Sequence, residues 1–191
     1  DLEKRKLIKQ YCIEDSDDAL KLFDMMAPAT FYMTQSVPKP FQLMCESATG
    51  SQVNSMMVRS YLQQQHSIAK ATEIIAGSLA GGISLGIPGI YKHVISFDFL
   101  SAYPSVIIGQ YLHDKVKDPN AYFPTMVKAF KDKRVEYKKL AKSTGDKYYD
   151  FMQGAMKIFI NSSFGACSTN GLNYNSPECA AIITKTTRDE L

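Results

Sequence analysis

The feature that most constrains the fold is an apolar run that ends in an acid, at residues 94–98. Residues 94–97 are mostly β-branched or aromatic, so they predict a buried β-strand. Asp98 falls at the end of that strand, where side chains commonly meet ligands, so its carboxylate is a candidate metal ligand. The alternative is that Asp98 caps the helix that follows and that Tyr103 is a core residue.

The residues after Asp98 suit a nucleotide. Ser101 and Ala102 are small, so their backbone N–H groups can approach phosphate oxygens. Tyr103 adds a rigid ring beside Pro104, whose φ angle is fixed.

A second candidate face lies near residue 160. Lys157, Asn161 and Phe164 are spaced four and three residues apart, so on a helix an ammonium, an amide and a ring share one face. Such a face can bind a triphosphate and stack under a base. The alternative is an ordinary amphipathic helix with a solvated lysine and a buried phenylalanine.

A helical hairpin is predicted between these segments. Apolar residues at 123, 126, 127 and 130 have helical spacing, and the helix continues to about residue 139. Residues 143–146 have turn chemistry, and a second helix runs from about Lys147 to Phe164. Arg134 and Lys138 share one face of the first helix. A solvated basic face is the better interpretation of Lys131, Lys133 and Lys139.

Weaker patterns precede the hairpin. Tyr11 and Asp15 lie one helical turn apart, a spacing that a plain surface helix also gives. Gly81 and Gly82 allow backbone to approach phosphate closely or simply form a turn. Residues 50–71 predict a core helix, without chemistry, from the spacing of Val53, Met56, Met57 and Tyr61.

Composition indicates a globular chain with one local basic region. The 191 residues are 45% hydrophobic, which is enough for a core. The net charge is +3, and the basic excess between Lys115 and Lys147 suits a local phosphate-binding surface better than a generally basic DNA clamp. The four cysteines lack metal-ligand spacing, so reduced thiols are expected. Neither a signal peptide nor an 18-residue apolar run is found, so we expect no membrane partner.

The segments beginning at Asp98 (Asp-Phe-Leu-Ser-Ala-Tyr-Pro-Ser-Val-Ile-Ile) and Lys157 (Lys-Ile-Phe-Ile-Asn-Ser-Ser-Phe-Gly) resemble motifs A and B of family B DNA-directed DNA polymerases. The resemblance covers essentially the whole chain but not a complete enzyme. It implies an α+β fold, a partial polymerase palm sheet with an antiparallel two-helix fingers hairpin, preceded by the last helix of an RNase H-like exonuclease domain. The implied divisions are the end of the 3′–5′ exonuclease domain at 1–30, a linker and first part of the palm at 31–118 (motif A at 96–108), the fingers at 119–165 (motif B at 157–165), and a return toward the palm at 166–191.

The resemblance also implies an activity. It is template-directed addition of deoxynucleotides to a primer 3′ end by phosphoryl transfer with two Mg²⁺ ions, in a parent protein with 3′–5′ proofreading. The implied partners are primer–template DNA, deoxynucleoside triphosphates and either a sliding clamp or a second polymerase chain. The expected location is intracellular, at replicating DNA in the cytoplasm or nucleus, or in the host cell for a viral or phage source.

The family's residue roles carry over by position. Asp98 is the catalytic carboxylate and a metal ligand, the Phe99 carbonyl is a second metal ligand, and Tyr103 is the steric gate against ribonucleotides. The implied nucleotide-binding residues are Ser101, Ala102, Tyr103, Arg134, Lys138, Lys157 and Asn161. The implied contacts to the base pair or template are Ser162, Phe164, Gly165, Gly81 and Gly82. Tyr11 and Asp15 take the exonuclease roles, with Asp15 as a metal ligand.

Three departures stand out, since the family usually has Leu, Tyr and Tyr where this chain has Ala102, Phe164 and Leu79. Phe164 lacks a minor-groove hydroxyl, which puts fidelity rather than activity in doubt. The family's second pair of aspartates would lie downstream, so we expect this chain alone to be inactive. The alternative function is that of a non-catalytic nucleic-acid-binding subunit of a split or decayed polymerase, although the intact motif residues argue against decay.

Overall fold

The computed structural model describes residues 1–73, 85–99 and 101–190, and regular structure in these ranges is entirely helical. Gly81 and Gly82 fall outside the described residues. The helices are α1 (Leu2–Met33), α2 (Phe41–Glu46), α3 (Thr49–Gln63), α4 (Ala102–Gly109), α5 (Tyr122–Thr144), α6 (Lys147–Asn161), α7 (Ser163–Ser168) and α8 (Pro177–Asp189).

The predicted core helix is present as α3, but it is shorter than expected. Val53, Met57 and Tyr61 are buried along one face, as their spacing predicted. The helix ends at Gln63 instead of continuing toward residue 71, because the backbone of Gln65 turns left-handed with φ of 57°. Non-glycine residues rarely adopt that conformation inside a helix, so the chain leaves the helical path here.

A buried carboxylate fixes the start of α5. Asp118 is 2% exposed, and its oxygens accept hydrogen bonds from the Tyr122 and Phe123 backbone N–H groups, both at 2.9 Å. The Tyr61 hydroxyl donates to the same carboxylate at 2.6 Å, which joins α3 to the beginning of α5. Burial, followed by this hydrogen bond, raises the pKa of Tyr61.

Helices α5 and α6 pack antiparallel across a short turn. Gly145, with φ of 70°, ends α5 in the left-handed conformation that glycine adopts at low cost. Phe130 of α5 and Phe159 in the last turn of α6 stack with ring centroids 4.4 Å apart. The second helix was predicted to continue to Phe164, but it breaks at Ser162, and residues 163–168 form the separate helix α7.

Helix α1 joins this pair only through its final turns. Tyr32 contacts Tyr148 edge to face, with centroids 4.8 Å apart, and stacks against Phe151 at 6.5 Å. Residues 1–26, in contrast, are exposed to solvent. None of the described helices is long and apolar enough to cross a membrane.

The strand predicted at residues 94–97 is wrong for this structure. The segment has no regular structure, and Val94, Ile95 and Phe97 are 72%, 76% and 91% exposed. A strand needs a neighbour that accepts its backbone hydrogen bonds and covers its side chains. The described residues supply no such neighbour, so the predicted palm sheet is not formed among them.

Candidate functional site

The turn that follows Asp98 forms one wall of a cavity. Ser101 precedes α4 as its N-cap residue and holds a left-handed φ of 55°, so the chain reverses sharply there. Because Ser101 takes the capping position, Asp98 is not the N-cap of α4, and that part of the alternative is wrong. The exposed Asp98 side chain instead lines the cavity together with Phe99 and Tyr103.

Helix α6 and helix α5 provide the opposite wall. The cavity has a volume of about 560 Å³, and its lining combines motif A, motif B and the first hairpin helix. The lining residues are Asp98, Phe99, Ser101, Ala102, Tyr103, Pro104, Arg134, Lys157 and Asn161. Residues that are up to 63 positions apart in sequence are therefore brought to one site.

The cavity carries more positive than negative charge. Lys157 and Arg134 provide two cations, and Asp98 provides the single carboxylate of the lining. A confined surface of this kind attracts an anion such as a phosphate group.

Arg134 has an unsatisfied donor at this site. Its Nε atom is buried and has no hydrogen-bond partner among the described residues. A buried donor without a partner is costly, because it gives up its hydrogen bond to water and gains none in return. Arg134 also lines the cavity, so the guanidinium brings positive charge to it.

Phe164 lies beside the cavity rather than within its lining. Its ring contacts the Tyr103 ring with centroids 4.8 Å apart and an interplanar angle of 45°. Both rings are partly buried and pack against the core. The helix break at Ser162 thus separates Phe164 from the helix that carries Lys157 and Asn161, yet keeps the ring near the predicted gate.

Metal-binding capacity at the cavity is partial. Asp98 offers carboxylate oxygens and Phe99 a backbone carbonyl, the hard oxygen ligands that suit Mg²⁺. In the described ranges, no three His, Cys, Asp or Glu side chains cluster as a metal site. Mg²⁺ is commonly held by one or two carboxylates plus the substrate's phosphates, so these two residues fit a contributing role.

Several predicted residues are not part of this cavity. Lys138 lies one turn beyond Arg134 on α5 and is exposed, and Ser162 and Gly165 lie at the α6–α7 junction. Tyr11 and Asp15 are exposed on α1, and among the described residues no three His, Cys, Asp or Glu side chains are placed to hold a metal there. Their predicted roles remain predictions.

One contact near the site was missed by sequence reasoning. Lys131, which we expected on a solvated face, is half-buried, and its Nζ atom donates to the Ser105 hydroxyl at 3.2 Å. This contact joins α5 to α4. Helical spacing alone could have placed Lys131 one turn from Arg134, but the position of Ser105 depends on the turn at Ser101.

Comparison with known proteins finds DNA polymerases as relatives of this chain. No family model matches the chain. A DNA polymerase of Pyrococcus glycovorans is 26% identical over 93% of this chain, and DNA polymerase 1 of Sulfurisphaera ohwakuensis is 29% identical over 60% of it. The chain spans about 27% of the first relative's length and 17% of the second's.

A solved structure shares the fold. The family B DNA polymerase of Pyrobaculum calidifontis matches with a TM-score of 0.78 and 21% identity, covering 100% of this chain and 29% of that one. The resemblance to family B DNA polymerases is therefore confirmed, and the helical fold matches part of such a polymerase. The relatives named here are archaeal, so they give no support to a viral or phage source.

Proposed function

We propose that the cavity binds the incoming deoxynucleoside triphosphate of a DNA-directed DNA polymerase. The observation that carries this proposal is the shared lining of the cavity, where Asp98 and Tyr103 of the first motif face Lys157 and Asn161 of the second. The DNA polymerases among the relatives support the reaction class. The whole protein would add deoxynucleotides to a primer 3′ end, on a template strand.

The triphosphate would lie against the cationic side of the cavity. Lys157 neutralises phosphate charge, and the guanidinium of Arg134 donates to a phosphate oxygen. Asn161, one turn from Lys157, adds an amide donor beside the same group. Lys138 would extend this basic face along α5 toward the end of the triphosphate.

Tyr103 would select the sugar. Its ring packs against Phe164, so it cannot move far without losing that contact. A 2′-hydroxyl on the nucleotide would then collide with the ring, whereas a deoxyribose would stack on it. Phe164, Ser162 and Gly165 would lie beside the nascent base pair.

Asp98 and the Phe99 carbonyl would hold Mg²⁺ at the edge of the cavity. When bound, the metal neutralises charge that develops on the α-phosphate and on the attacking and leaving oxygens. Further carboxylates from other parts of the polymerase would complete the ligand set. Tyr11 and Asp15 on α1 would belong to the separate proofreading site.

Direct nucleotide binding tests the proposal. The 191-residue chain is titrated with dATP and Mg²⁺ by calorimetry, along with Lys157→Ala and Asn161→Ala variants. Each substitution removes a polar contact to an anion, so we expect the Kd to rise about tenfold or more. Lys139→Ala is the matched control, because Lys139 is an exposed lysine of the hairpin outside the cavity lining.

Two results would contradict the proposal. The first is a wild-type chain that is folded by circular dichroism but does not bind dATP. The second is equal binding by the Lys157→Ala variant and the Lys139→Ala control.

A further inference from the structure

Lys131 differs from the other paired cations of α5. Lys128 pairs with Asp132 at 2.6 Å and Lys133 with Glu136 at 2.9 Å, both within the helix, and all four of these side chains are more than half exposed. Lys131 is half-buried and reaches across to the exposed Ser105 hydroxyl of α4 in a solvent-exposed hydrogen bond. The contact of Lys131 therefore joins two helices, whereas an ion pair within one helix does not position one helix against another.

The contact joins the two walls of the cavity. Ser105 lies in the first turn of α4, two residues after Tyr103, and Lys131 lies one turn before Arg134 on α5. Tyr103 and Arg134 both line the cavity. The hydrogen bond between Lys131 and Ser105 consequently ties the helix that carries the guanidinium to the turn that carries the ring.

We propose that Lys131 is a positioning residue, which holds Arg134 at the correct distance from Tyr103 for the triphosphate to contact both walls at once. Lys131 does not itself line the cavity. This inference rests on the proposed nucleotide-binding function and adds a residue to it. The charged donor strengthens this hydrogen bond, whereas water competes for it at the surface, so we expect a modest effect on the spacing of the two helices.

A double-mutant cycle tests the inference. Lys131→Met removes the donor but keeps a long, unbranched side chain, Ser105→Ala removes the acceptor, and Lys131→Arg retains donors. We expect dATP to bind about three- to tenfold more weakly to either single variant, because each loses the same hydrogen bond. The double variant should bind no more weakly than the weaker single variant, since the bond can be lost only once.

Two controls separate positioning from a general loss of structure or charge. Lys128→Met removes a lysine of α5 whose ion pair stays within the helix, so dATP binding should remain at the wild-type level. The number of dATP molecules bound per chain at saturation should stay unchanged in all variants, whereas misfolding would lower it. Lys131→Arg should restore most of the lost affinity.

The outcomes are distinct. Weaker binding by Lys131→Met and Ser105→Ala without additivity supports the inference. Wild-type affinity in Lys131→Met would overturn it and leave the proposed function intact. Weak binding by Lys131→Met with normal binding by Ser105→Ala would also overturn it, because that pattern identifies a charge effect. Absence of dATP binding in the wild-type chain would remove both this inference and the proposed function.

Discussion

At the scale of single residues, Tyr103 has the most sharply defined environment of the cavity. It follows the left-handed turn at Ser101, precedes the rigid Pro104, and packs on Phe164. A ring held in this way is a better steric barrier than a free one, because displacing it costs both packing and rotamer energy. Where the family usually has a tyrosine, Phe164 provides the ring surface without a hydroxyl.

Replacing Tyr103 with alanine should weaken the distinction between sugars. Without the ring, a 2′-hydroxyl no longer collides, so the ratio of ATP to dATP dissociation constants should fall by about tenfold or more. The measurement is parallel titration of the variant and the wild type with both nucleotides. Tyr111→Ala is the control, since Tyr111 is an exposed tyrosine outside the cavity lining. An unchanged ratio in the Tyr103 variant would remove the gate role.

At the scale of elements, the first turn of α5 depends on Asp118. The N-cap position itself is Ala121, which makes no side-chain capping bond. Asp118 supplies that function from three residues earlier, by accepting from two backbone N–H groups of the first turn. Arg134 and Lys131 both lie on α5. A carboxylate outside the cavity lining therefore helps to fix the start of the helix that carries them.

Asp118→Ala should destabilise the protein by about 3 kcal/mol, because it leaves two backbone donors and the Tyr61 hydroxyl without their acceptor in a buried place. Tyr61→Phe should cost less, about 1–2 kcal/mol, since it removes one of the three bonds to Asp118 and the bond that the Asn120 N–H donates to the Tyr61 hydroxyl. The check is the free energy of unfolding from urea titrations. Asp132→Ala is the exposed control from the same helix, and a loss in Asp118→Ala no larger than in this control would contradict the assignment.

At the scale of the whole molecule, some parts of the chain are exposed and others are buried, and the four cysteines fall in both kinds of region. Cys12 and Cys45 are exposed, whereas Cys167 and Cys179 are buried. Burial raises the pKa of both inner thiols. The thiolate is the reactive form, so burial lowers both access and reactivity at these two positions.

Alkylation with iodoacetamide at about pH 8 should consequently modify Cys12 and Cys45 first. The modified positions are identified by peptide mass spectrometry, with urea-unfolded chain as the reference in which all four sites react. Rapid labelling of Cys167 in the folded chain would contradict the burial of this thiol.

The sequence anticipated some of these features better than others. The core face of α3 and the turn at Gly145 follow from periodicity and from turn residues, which are local signals. The approach of Asp98 to Lys157 and Asn161 was expected only through the family resemblance. The exposed segment 94–97 shows why the strand prediction failed, because the same apolar residues form a strand only where a partner strand exists. The contact between Lys131 and Ser105 depends on how two helices meet, which periodicity does not specify.

The edge-to-face contact between Tyr32 and Tyr148 has an evolutionary consequence. It joins the end of α1 to the first turn of α6, with Phe151 stacked on the same ring. A smaller residue at position 32 would leave both partners facing a gap, so substitutions at positions 32, 148 and 151 should be correlated among descendants of a common ancestor. The hairpin and the end of α1 are therefore expected to change together in evolution, although they are far apart in sequence.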